Sequence, residues 1–376
     1  LPKQNAREAA VVNNLKVYGV ENIKEVIEFF NNERNLEPSI VNTREEFYEH
    51  QSSFPYDFAD VKGQESVKRA LEVAASGGHN LIMIGSPGSG KSMMAKCMPS
   101  ILPPLSLGES LETTKIHSVA GKLGKDSSLI AIRPFRSPHH TISQVAMVGG
   151  GTNPQPGEIS LAHNGLLFLD ELPEFNRSVL EVLRQPLEDR HISIARAKYS
   201  LDYPASFMLV ASMNPCPCGY YNHPTRACVC NPGQVQRYLN RISGPLLDRI
   251  DIQIEIVPVP FEKMAEQHHA ESSASIRKRV IKARKIQAQR FANHPGIYCN
   301  AQMEAGLLHL YAQPNEAGLK LLQTAMTRLN LSARAYGRIL KVARTIADLD
   351  NSEHITSIHL AEAISYRNLD REDWAG

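Results

Sequence analysis

The sequence lacks a strong net charge of either sign and any long apolar run. Its 376 residues include 41 Lys and Arg against 39 Asp and Glu, a formal net charge of +2. A nucleic acid or a membrane would therefore have to be bound through a local patch. No apolar run is long enough to span a bilayer and no signal peptide opens the chain, which predicts a cytoplasmic protein. The chain begins at Leu1 rather than Met, so we expect a fragment; its length allows two or three domains.

A phosphate-binding loop is the clearest motif present. The segment Gly85-Ser-Pro-Gly-Ser-Gly-Lys-Ser92 fills every fixed position of the P-loop pattern and follows an apolar run, 80–84, typical of a buried strand. Its glycines let backbone N–H groups turn toward phosphate oxygens, and a helix beginning near Lys91 adds the positive end of its dipole. Lys91 would reach the β and γ phosphates, and Ser92 the magnesium. The alternative is a glycine-rich turn with a chance lysine. The predicted nucleotide-binding residues are Gly85, Ser86, Pro87, Gly88, Ser89, Gly90, Lys91 and Ser92.

A second motif is an apolar run that ends in two carboxylates, Asp170 and Glu171, here called the Walker B pair. The run 166–170 has the composition of a buried strand, which would bring Asp170 to the edge of a parallel sheet where nucleotide sites form. Its carboxylate could then hold magnesium, and Glu171 could orient and polarise the attacking water. An Asp-Glu pair can also simply begin a helix, but the upstream P-loop favours the catalytic interpretation.

The order of the predicted elements indicates the fold class. Between Asp60 and Pro260 helices and strands alternate, which predicts an α/β core with a mostly parallel sheet, and a helical lid domain follows. An apolar, helix-compatible segment at Ala6–Phe30 and a polar linker precede the core. The predicted strands are 80–84, 166–170, 207–212 and 250–256, and the predicted helices are 64–75, one after Lys91, 176–187, 275–291, 315–329, 332–347 and 356–366.

Three further polar residues could complete the site. Asn214 follows an apolar strand and could hydrogen-bond the attacking water or the γ-phosphate, although an Asn before a Pro often only ends a strand. Arg249 lies just before the last strand. In a ring it could stabilise the phosphoryl group in a neighbour's site, whereas in a monomer it would form an ordinary surface ion pair. Arg334 opens a lid helix, from which it could reach the γ-phosphate and couple the lid angle to the nucleotide state.

Longer motifs connect the chain to a known family. They are Pro134-Phe-Arg-Ser-Pro-His-His140, Val148-Gly-Gly-Gly-Thr152, Pro156-Gly-Glu-Ile-Ser-Leu-Ala-His163, Leu183-Arg-Gln-Pro-Leu-Glu188, Met213-Asn-Pro-Cys-Pro-Cys-Gly219 and Ala343-Arg-Thr-Ile-Ala-Asp348. Through these motifs nearly the whole chain resembles the YifB/ComM family of magnesium-chelatase-like AAA+ ATPases, in the helix-2-insert clade.

The resemblance implies a hexameric motor that uses ATP and Mg²⁺. It gives Lys91, Ser92 and the Walker B pair their usual roles, and it makes Asn214 sensor 1, Arg249 the trans finger and Arg334 sensor 2. The implied domains are the end of a truncated Lon-protease-like domain at 1–30, a linker at 31–58, the AAA+ core with a helix-2 insert and a Cys-rich loop at 59–262, and the lid at 263–376.

Basic residues on two predicted loops could contact DNA. The long connection before the Walker B strand is, by the resemblance, the pore-facing helix-2 insert; it carries Arg133, Arg136, His139 and His140. A hairpin predicted at 191–198 carries Arg196 and Lys198. Such side chains suit contacts to a phosphate backbone without base reading; the alternative is that the arginines bridge subunits. A basic run at 277–290 fits a solvated or inter-subunit helix face better than a DNA groove.

Four of the six cysteines form two close pairs, Cys216-Pro-Cys218 and Cys228-Val-Cys230. Thiolates on one short loop can surround zinc tetrahedrally, and disulfides are disfavoured in a cytosolic chain. We therefore predict a structural zinc ion that rigidifies the surroundings of Asn214, although Cys-x-x-Cys is the commoner spacing. The other two cysteines are predicted to be inert.

Together these features predict an ATPase that moves DNA through a hexameric ring. It would act as a helicase or branch-migration motor in recombination or natural transformation, with branched or single-stranded DNA as its partner. The alternative is a magnesium-chelatase-like motor subunit that remodels a protein partner without binding DNA. A third interpretation, a nucleotide-gated scaffold that scarcely hydrolyses ATP, is disfavoured by the presence of Glu171 and Arg249.

Overall fold

A computed structural model describes residues 1–10, 15–39, 51, 54–124, 129–151, 154–196, 199–259, 270–329 and 331–367. The chain forms two compact units, Leu1–Ser53 with Pro104–Arg133, and Phe54–Pro103 with Pro134–Gly376. These units divide the chain differently from the predicted domains, whose boundaries stay predictions. In the described ranges, no helix has both the length and the apolar character needed to cross a bilayer.

The first unit has three helices in its described part: Lys3–Ala9, Ile23–Phe30 and Leu107–Val119. The segment predicted to be helix-compatible, Ala6–Phe30, therefore contains parts of two helices, and residues 11–14 lie outside the description. The second helix begins where the Asn22 side chain caps it. In the third, Glu109 pairs with Arg133 at 3.0 Å, so this arginine of the predicted insert is bound within its own unit.

The second unit is built on a parallel sheet. The strands of the described residues are β1 Leu81–Gly85, β2 Phe135–Arg136, β3 Gly149–Gly150, β4 Gln155–Pro156, β5 Leu166–Leu169, β6 His191–Arg196, β7 Tyr199–Pro204, β8 Met208–Met213 and β9 Ile252–Ile256. Five of them form one sheet in the order β2-β5-β8-β1-β9, and every neighbouring pair is parallel. The predicted mostly parallel sheet is confirmed. The antiparallel pair of β6 and β7 is the predicted hairpin.

Helices cover the sheet and continue into the C-terminal region. In the described part of the second unit they are Glu65–Gly77, Lys91–Ile101, Gln144–Val148, Glu158–Leu161, Arg177–Glu181, Arg184–Asp189, Pro232–Leu239, Gly244–Leu247, Ser273–Arg290, Ala305–Tyr311, Glu316–Arg328, Ala333–Leu349 and Ser357–Ser365, with short 3-10 turns at Phe58–Asp60, Leu172–Glu174 and Asn300–Gln302. The predicted C-terminal helical region is confirmed. Five of these helices were not predicted: Gln144–Val148, Glu158–Leu161, Pro232–Leu239, Gly244–Leu247 and Ala305–Tyr311.

One predicted helix, 176–187, is wrong as a single element. Two short helices, Arg177–Glu181 and Arg184–Asp189, occupy this stretch. Pro186 explains the break, because its ring would clash with the carbonyl group four residues earlier in a continuous helix. Proline is tolerated in the first turn of a helix, which is where it lies in the second of the two.

Alternate side chains of β1, an interior strand of the sheet, enter two hydrophobic cores. Leu81 and Met83 of β1 are buried in one, and Ile82 and Ile84 in the other, because successive residues of a strand point to opposite faces. The C-terminal helices add Ile339 to the first of these cores. The helical region and the sheet therefore share one apolar interior.

Candidate active site

The P-loop joins β1 to the helix Lys91–Ile101. Gly90 caps that helix with a left-handed backbone (φ +89°), which glycine adopts without steric cost. A Cβ atom at Gly88 would meet nothing within 4 Å, so the loop is open on that side. The Ser89 hydroxyl is buried and has no hydrogen-bond partner among the described residues. The loop therefore offers space and an unused polar group to an anionic ligand.

Lys91 is buried at the start of this helix. Its Nζ donates hydrogen bonds to the carbonyl oxygens of Gly85 (2.7 Å) and Ser86 (2.9 Å) and to Oδ1 of Asn214 (3.3 Å). Burial lowers the pKa of Lys91 because the ammonium group loses water, while the charges of the Walker B pair act in the opposite direction. All three acceptors are neutral, so a negatively charged phosphate oxygen could replace them with a stronger bond between opposite charges.

Asp170 follows β5, and its carboxylate is hydrogen-bonded to the first turn of the P-loop helix. Its Oδ2 accepts a hydrogen bond from Ser92 Oγ at 2.7 Å, and its Oδ1 accepts a short one from Ser212 Oγ in β8. Leu169 lies opposite Ala211 in the sheet, which puts Asp170 beside Ser212. Oxygen ligands about 2.1 Å from an octahedral Mg²⁺ ion lie about 3.0 Å apart when adjacent. The oxygens of Ser92 and Asp170 have nearly this separation, so the pair fits one shared magnesium ion.

Glu171 has an unusual backbone and an exposed carboxylate. Its φ angle of +54° is in the left-handed region, which is uncommon for residues other than glycine. The side chain is 55% exposed, and Oε2 lies 3.7 Å from Nδ1 of His140. His140 in turn contacts the rings of His139 and Phe175. The carboxylate is thus open to water and also faces an imidazole from the predicted insert.

The two predicted arginines contact other parts of the unit. Arg249 is buried; its guanidinium donates to the carbonyl oxygen of Arg184 (3.0 Å) and to a carbonyl oxygen four residues before it (2.6 Å), and it pairs with Glu188 (2.6 Å). Arg334 is exposed and pairs with Asp248 at 3.0 Å. A role as trans finger or sensor 2 would need a neighbouring subunit or a movement of the lid, and both roles stay predictions.

The four cysteines predicted as metal ligands come together in the structure. One sulfur from each of Cys216, Cys218, Cys228 and Cys230 lies within 4.8 Å of the others. All six cysteines of the chain are free thiols. The cluster could hold a soft metal ion, and the predicted zinc stays a prediction.

Two contacts at the site were not found from the sequence. One is the bond from Ser212 to Asp170, for which the only signal was that Ser212 lies on the apolar strand before Asn214. The other is the close approach of Gly219 to Pro87 of the P-loop: a Cβ atom at Gly219 would lie 2.5 Å from Cδ of Pro87. Both contacts join segments that are distant in the sequence and become neighbours only in the folded structure.

Two arginines predicted to meet DNA, Arg133 and Arg136, and several arginines of the basic run 277–290 have partners within the chain. Arg136 forms two hydrogen bonds to Glu158, at 2.6 and 2.7 Å. Three arginines of the helix Ser273–Arg290 bind other elements of the same unit: Arg279 binds Glu72 and Glu271, Arg284 the carbonyl group of Ala75, and Arg290 Asp348. These arginines thus make internal contacts, whereas Lys278, Lys282 and Lys285 of the same run are exposed, as expected for a solvated face. The Arg196 side chain and Lys198 lie outside the described residues.

Known proteins resemble this chain along nearly its whole length. The family model of magnesium chelatase, subunit ChlI, matches residues 57–264, and that of the ChlI C-terminal region matches residues 270–367. Competence protein ComM of Haemophilus influenzae is 42% identical over 99% of this chain and 72% of its own length. YifB of Salmonella typhimurium is 48% identical over 84% of this chain and 61% of its own length. The magnesium-chelatase 38 kDa subunit of Rhodobacter capsulatus is 25% identical over 43% of the chain and 50% of its own length.

Proposed function

This chain belongs to the magnesium chelatase subunit ChlI family, in the group that contains YifB and ComM, and we propose that it is an AAA+ ATPase that acts on DNA. The observation that carries ATP hydrolysis is the convergence of Lys91, Ser92, Asp170 and Asn214. These residues lie around the ends of the adjacent strands β1, β5 and β8. Nucleotide sites of open α/β sheets form at this edge.

Each residue of the cluster has a distinct role in the proposed reaction. Lys91 exchanges its carbonyl acceptors for oxygens of the β and γ phosphates. Ser92 and Asp170 hold Mg²⁺, which when bound neutralises charge on the phosphates. Asn214 keeps the ammonium of Lys91 in place and can donate its amide N–H to the γ-phosphate or to the attacking water. Glu171 orients that water and accepts its proton.

The two arginines suggest how subunits could communicate in a proposed homohexamer. Arg249 is held by Glu188 and by two carbonyl oxygens, so it would have to leave these partners to reach a neighbour's nucleotide. Arg334 is exposed, and its single pair with Asp248 is of the kind that contributes about 0–1 kcal/mol. We therefore expect Arg334 to move toward the γ-phosphate at little cost, whereas Arg249 needs a compensating interaction across the interface.

The proposed DNA partner rests on the likeness to the competence protein of Haemophilus influenzae and on the predicted pore loops. We propose a helicase or branch-migration activity on branched or single-stranded DNA. One observation favours the alternative, a chelatase-like motor that remodels a protein. Arg133 and Arg136 pair with Glu109 and Glu158, which reduces the positive charge that the insert offers to a phosphate backbone.

Steady-state ATP hydrolysis, with and without a synthetic four-way DNA junction, tests the proposal. In Glu171→Gln the turnover should fall by about a hundredfold or more while nucleotide binding persists, because the general base is lost. Glu174→Gln is a matched control, since this nearby carboxylate is exposed and pairs with the exposed Arg241 at 2.9 Å; its turnover should match the wild type.

The outcomes separate the three interpretations. Stimulation by the junction that disappears in Glu171→Gln supports a DNA-coupled motor. A rate of ATP hydrolysis that is the same with and without DNA contradicts the proposed DNA partner and favours the protein-remodelling alternative. Tight nucleotide binding without turnover in the wild type contradicts the ATPase and favours a nucleotide-gated scaffold.

A further inference from the structure

The cysteine loop, residues 215–230, brings four thiols to one point. Sγ of Cys216 lies 3.3 Å from Sγ of Cys218 and 3.7 Å from that of Cys228, and the latter two are 3.6 Å apart. Sγ of Cys230 lies within 4.8 Å of the others. Zinc–thiolate bonds of about 2.3 Å in a tetrahedron place the sulfurs about 3.8 Å apart, whereas a disulfide joins them at about 2.0 Å. The spacing therefore fits a four-thiolate zinc site and no disulfide.

Apart from the thiols, this loop is held mainly by polar contacts near its surface: Arg226 donates to the Tyr220 hydroxyl at 2.7 Å, and Nδ1 of His223 accepts from the backbone N–H groups of Thr225 and Arg226. Residues 214–231 are all described, and they form no helix or strand. Val229 is 84% exposed, and of the residues between the two cysteine pairs only Gly219 is buried. A loop that buries so little apolar surface gains almost nothing to offset the conformational entropy lost on ordering. Bonds from thiolates to a metal can supply that free energy.

The same loop touches the nucleotide site at two points. At one end Pro215 follows Asn214, whose Oδ1 accepts a hydrogen bond from Lys91. Further along, Gly219 has a left-handed backbone (φ +83°) and approaches Pro87 so closely that no side chain fits between them. The P-loop and the cysteine loop also line one cavity together, through Gly85, Ser86, Gly219, Tyr221 and His223. The cysteine loop therefore packs directly against the P-loop.

We propose that Cys216, Cys218, Cys228 and Cys230 bind one zinc ion, and that this ion fixes the cysteine loop against the P-loop so that nucleotide affinity depends on the metal. The zinc site is inferred from the thiols alone, whereas the dependence of nucleotide affinity on the metal rests on the proposed ATP site. Loss of the metal releases both Pro87 and Asn214 from their positions. A substitution of one of these cysteines would then weaken binding of the phosphates, although no cysteine contacts the nucleotide.

The metal itself is tested first, on the full chain, by elemental analysis after purification with zinc present. We expect one zinc per chain, released when a mercurial reagent titrates the thiols. Cys228→Ser should lose the metal. Cys97→Ser is the matched control and should keep it, because Cys97 is buried away from the cluster and burial raises the pKa of its thiol to about 11.

Cobalt substitution gives a second readout. Co²⁺ bound in place of zinc should show thiolate charge-transfer bands and the intense visible bands of a tetrahedral site. Zinc below about a tenth of an equivalent, or equal zinc in Cys228→Ser and the wild type, would overturn the metal site.

Coupling to the nucleotide is tested with a fluorescent ATP analogue. Chelator-treated protein and Cys228→Ser should each bind it at least about tenfold more weakly than the zinc-loaded wild type, because a charge-assisted contact of Lys91 loses its support. Gly219→Val keeps all four thiols and so should retain zinc, yet it should also bind the analogue more weakly because its side chain displaces the loop from Pro87. Circular dichroism verifies that each variant is folded.

The outcomes distinguish this inference from the proposed function. Equal affinity of zinc-loaded and metal-free protein overturns the coupling. One zinc per chain with no nucleotide binding in either form leaves the metal site supported and contradicts the ATP site on which the coupling rests.

Discussion

Arg334 and Arg338 lie one turn apart on the helix Ala333–Leu349, yet their ion pairs should differ greatly in free energy. Arg338 donates to Oδ1 of Asp251 at 2.6 Å, and the Asp251 side chain is only 1% exposed. Arg334 pairs with Asp248 at 3.0 Å, but its side chain is 70% exposed. One pair joins the start of β9 to the C-terminal helices inside the protein, and the other lies in water.

Replacing Arg338 by Ala leaves a buried carboxylate without its closest cation. Asp251 still accepts a hydrogen bond from the backbone N–H of Asn80 at 3.1 Å. His79 lies 3.4 Å away, but burial lowers the pKa of its imidazole, so it does not supply a replacement charge near neutral pH. Removing one partner of a buried pair costs about 3–5 kcal/mol, whereas an exposed pair contributes about 0–1 kcal/mol.

Urea unfolding at pH 7, followed by far-UV circular dichroism, measures the difference. Arg338→Ala should lower the free energy of unfolding by about 3–5 kcal/mol, and Arg334→Ala by no more than about 1 kcal/mol. The double variant Asp251→Asn with Arg338→Ala should be more stable than Arg338→Ala alone, because no buried charge is left unpaired. Equal losses in the two single variants, or a double variant as unstable as Arg338→Ala, would refute the reasoning.

Three further predictions concern the same unit. Burial opposes ionisation of Asp251, but Arg338 holds the pKa of this carboxyl below its ordinary value of 3.8; its stabilisation is therefore complete above pH 3.8 and is lost as the pH falls below it. Relative to Asp251→Asn, the wild type should lose up to about 1.4 kcal/mol per pH unit in acid unfolding, and parallel curves would contradict this. Asn214→Ala should lower kcat by about a hundredfold with little change in stability. Lys91 would lose one hydrogen-bond acceptor, and the γ-phosphate or the attacking water would lose the amide N–H donor. An unchanged kcat would exclude the sensor role. Ser212→Ala should raise the Mg²⁺ concentration that gives half-maximal turnover, because Asp170 loses a hydrogen bond that orients it, and an unchanged Mg²⁺ dependence would show that Ser212 has no such role.

Local patterns in the sequence were sufficient for most elements of the fold. The strands predicted at 80–84 and 207–212 from continuous apolar runs are found at 81–85 and 208–213, and the long C-terminal helices were predicted from their periodicity. The P-loop is likewise a local motif, because the residues that curl around a phosphate are consecutive. The error at Pro186 was also local, since the proline signal was present and was not used to divide the helix.

Contacts between distant segments could be decided only by the tertiary structure. Ser212 and Asp170 are 42 residues apart, and Arg338 and Asp251 are 87 apart. No periodicity links such positions, because strands that are neighbours in the order β5-β8-β1 are far apart along the chain. The sequence by itself therefore determined which residues can bind phosphate, magnesium and a soft metal. The fold decided that the cysteine loop lies against the P-loop and that Arg249 is buried beside Glu188, since each depends on which surfaces meet once the sheet has formed.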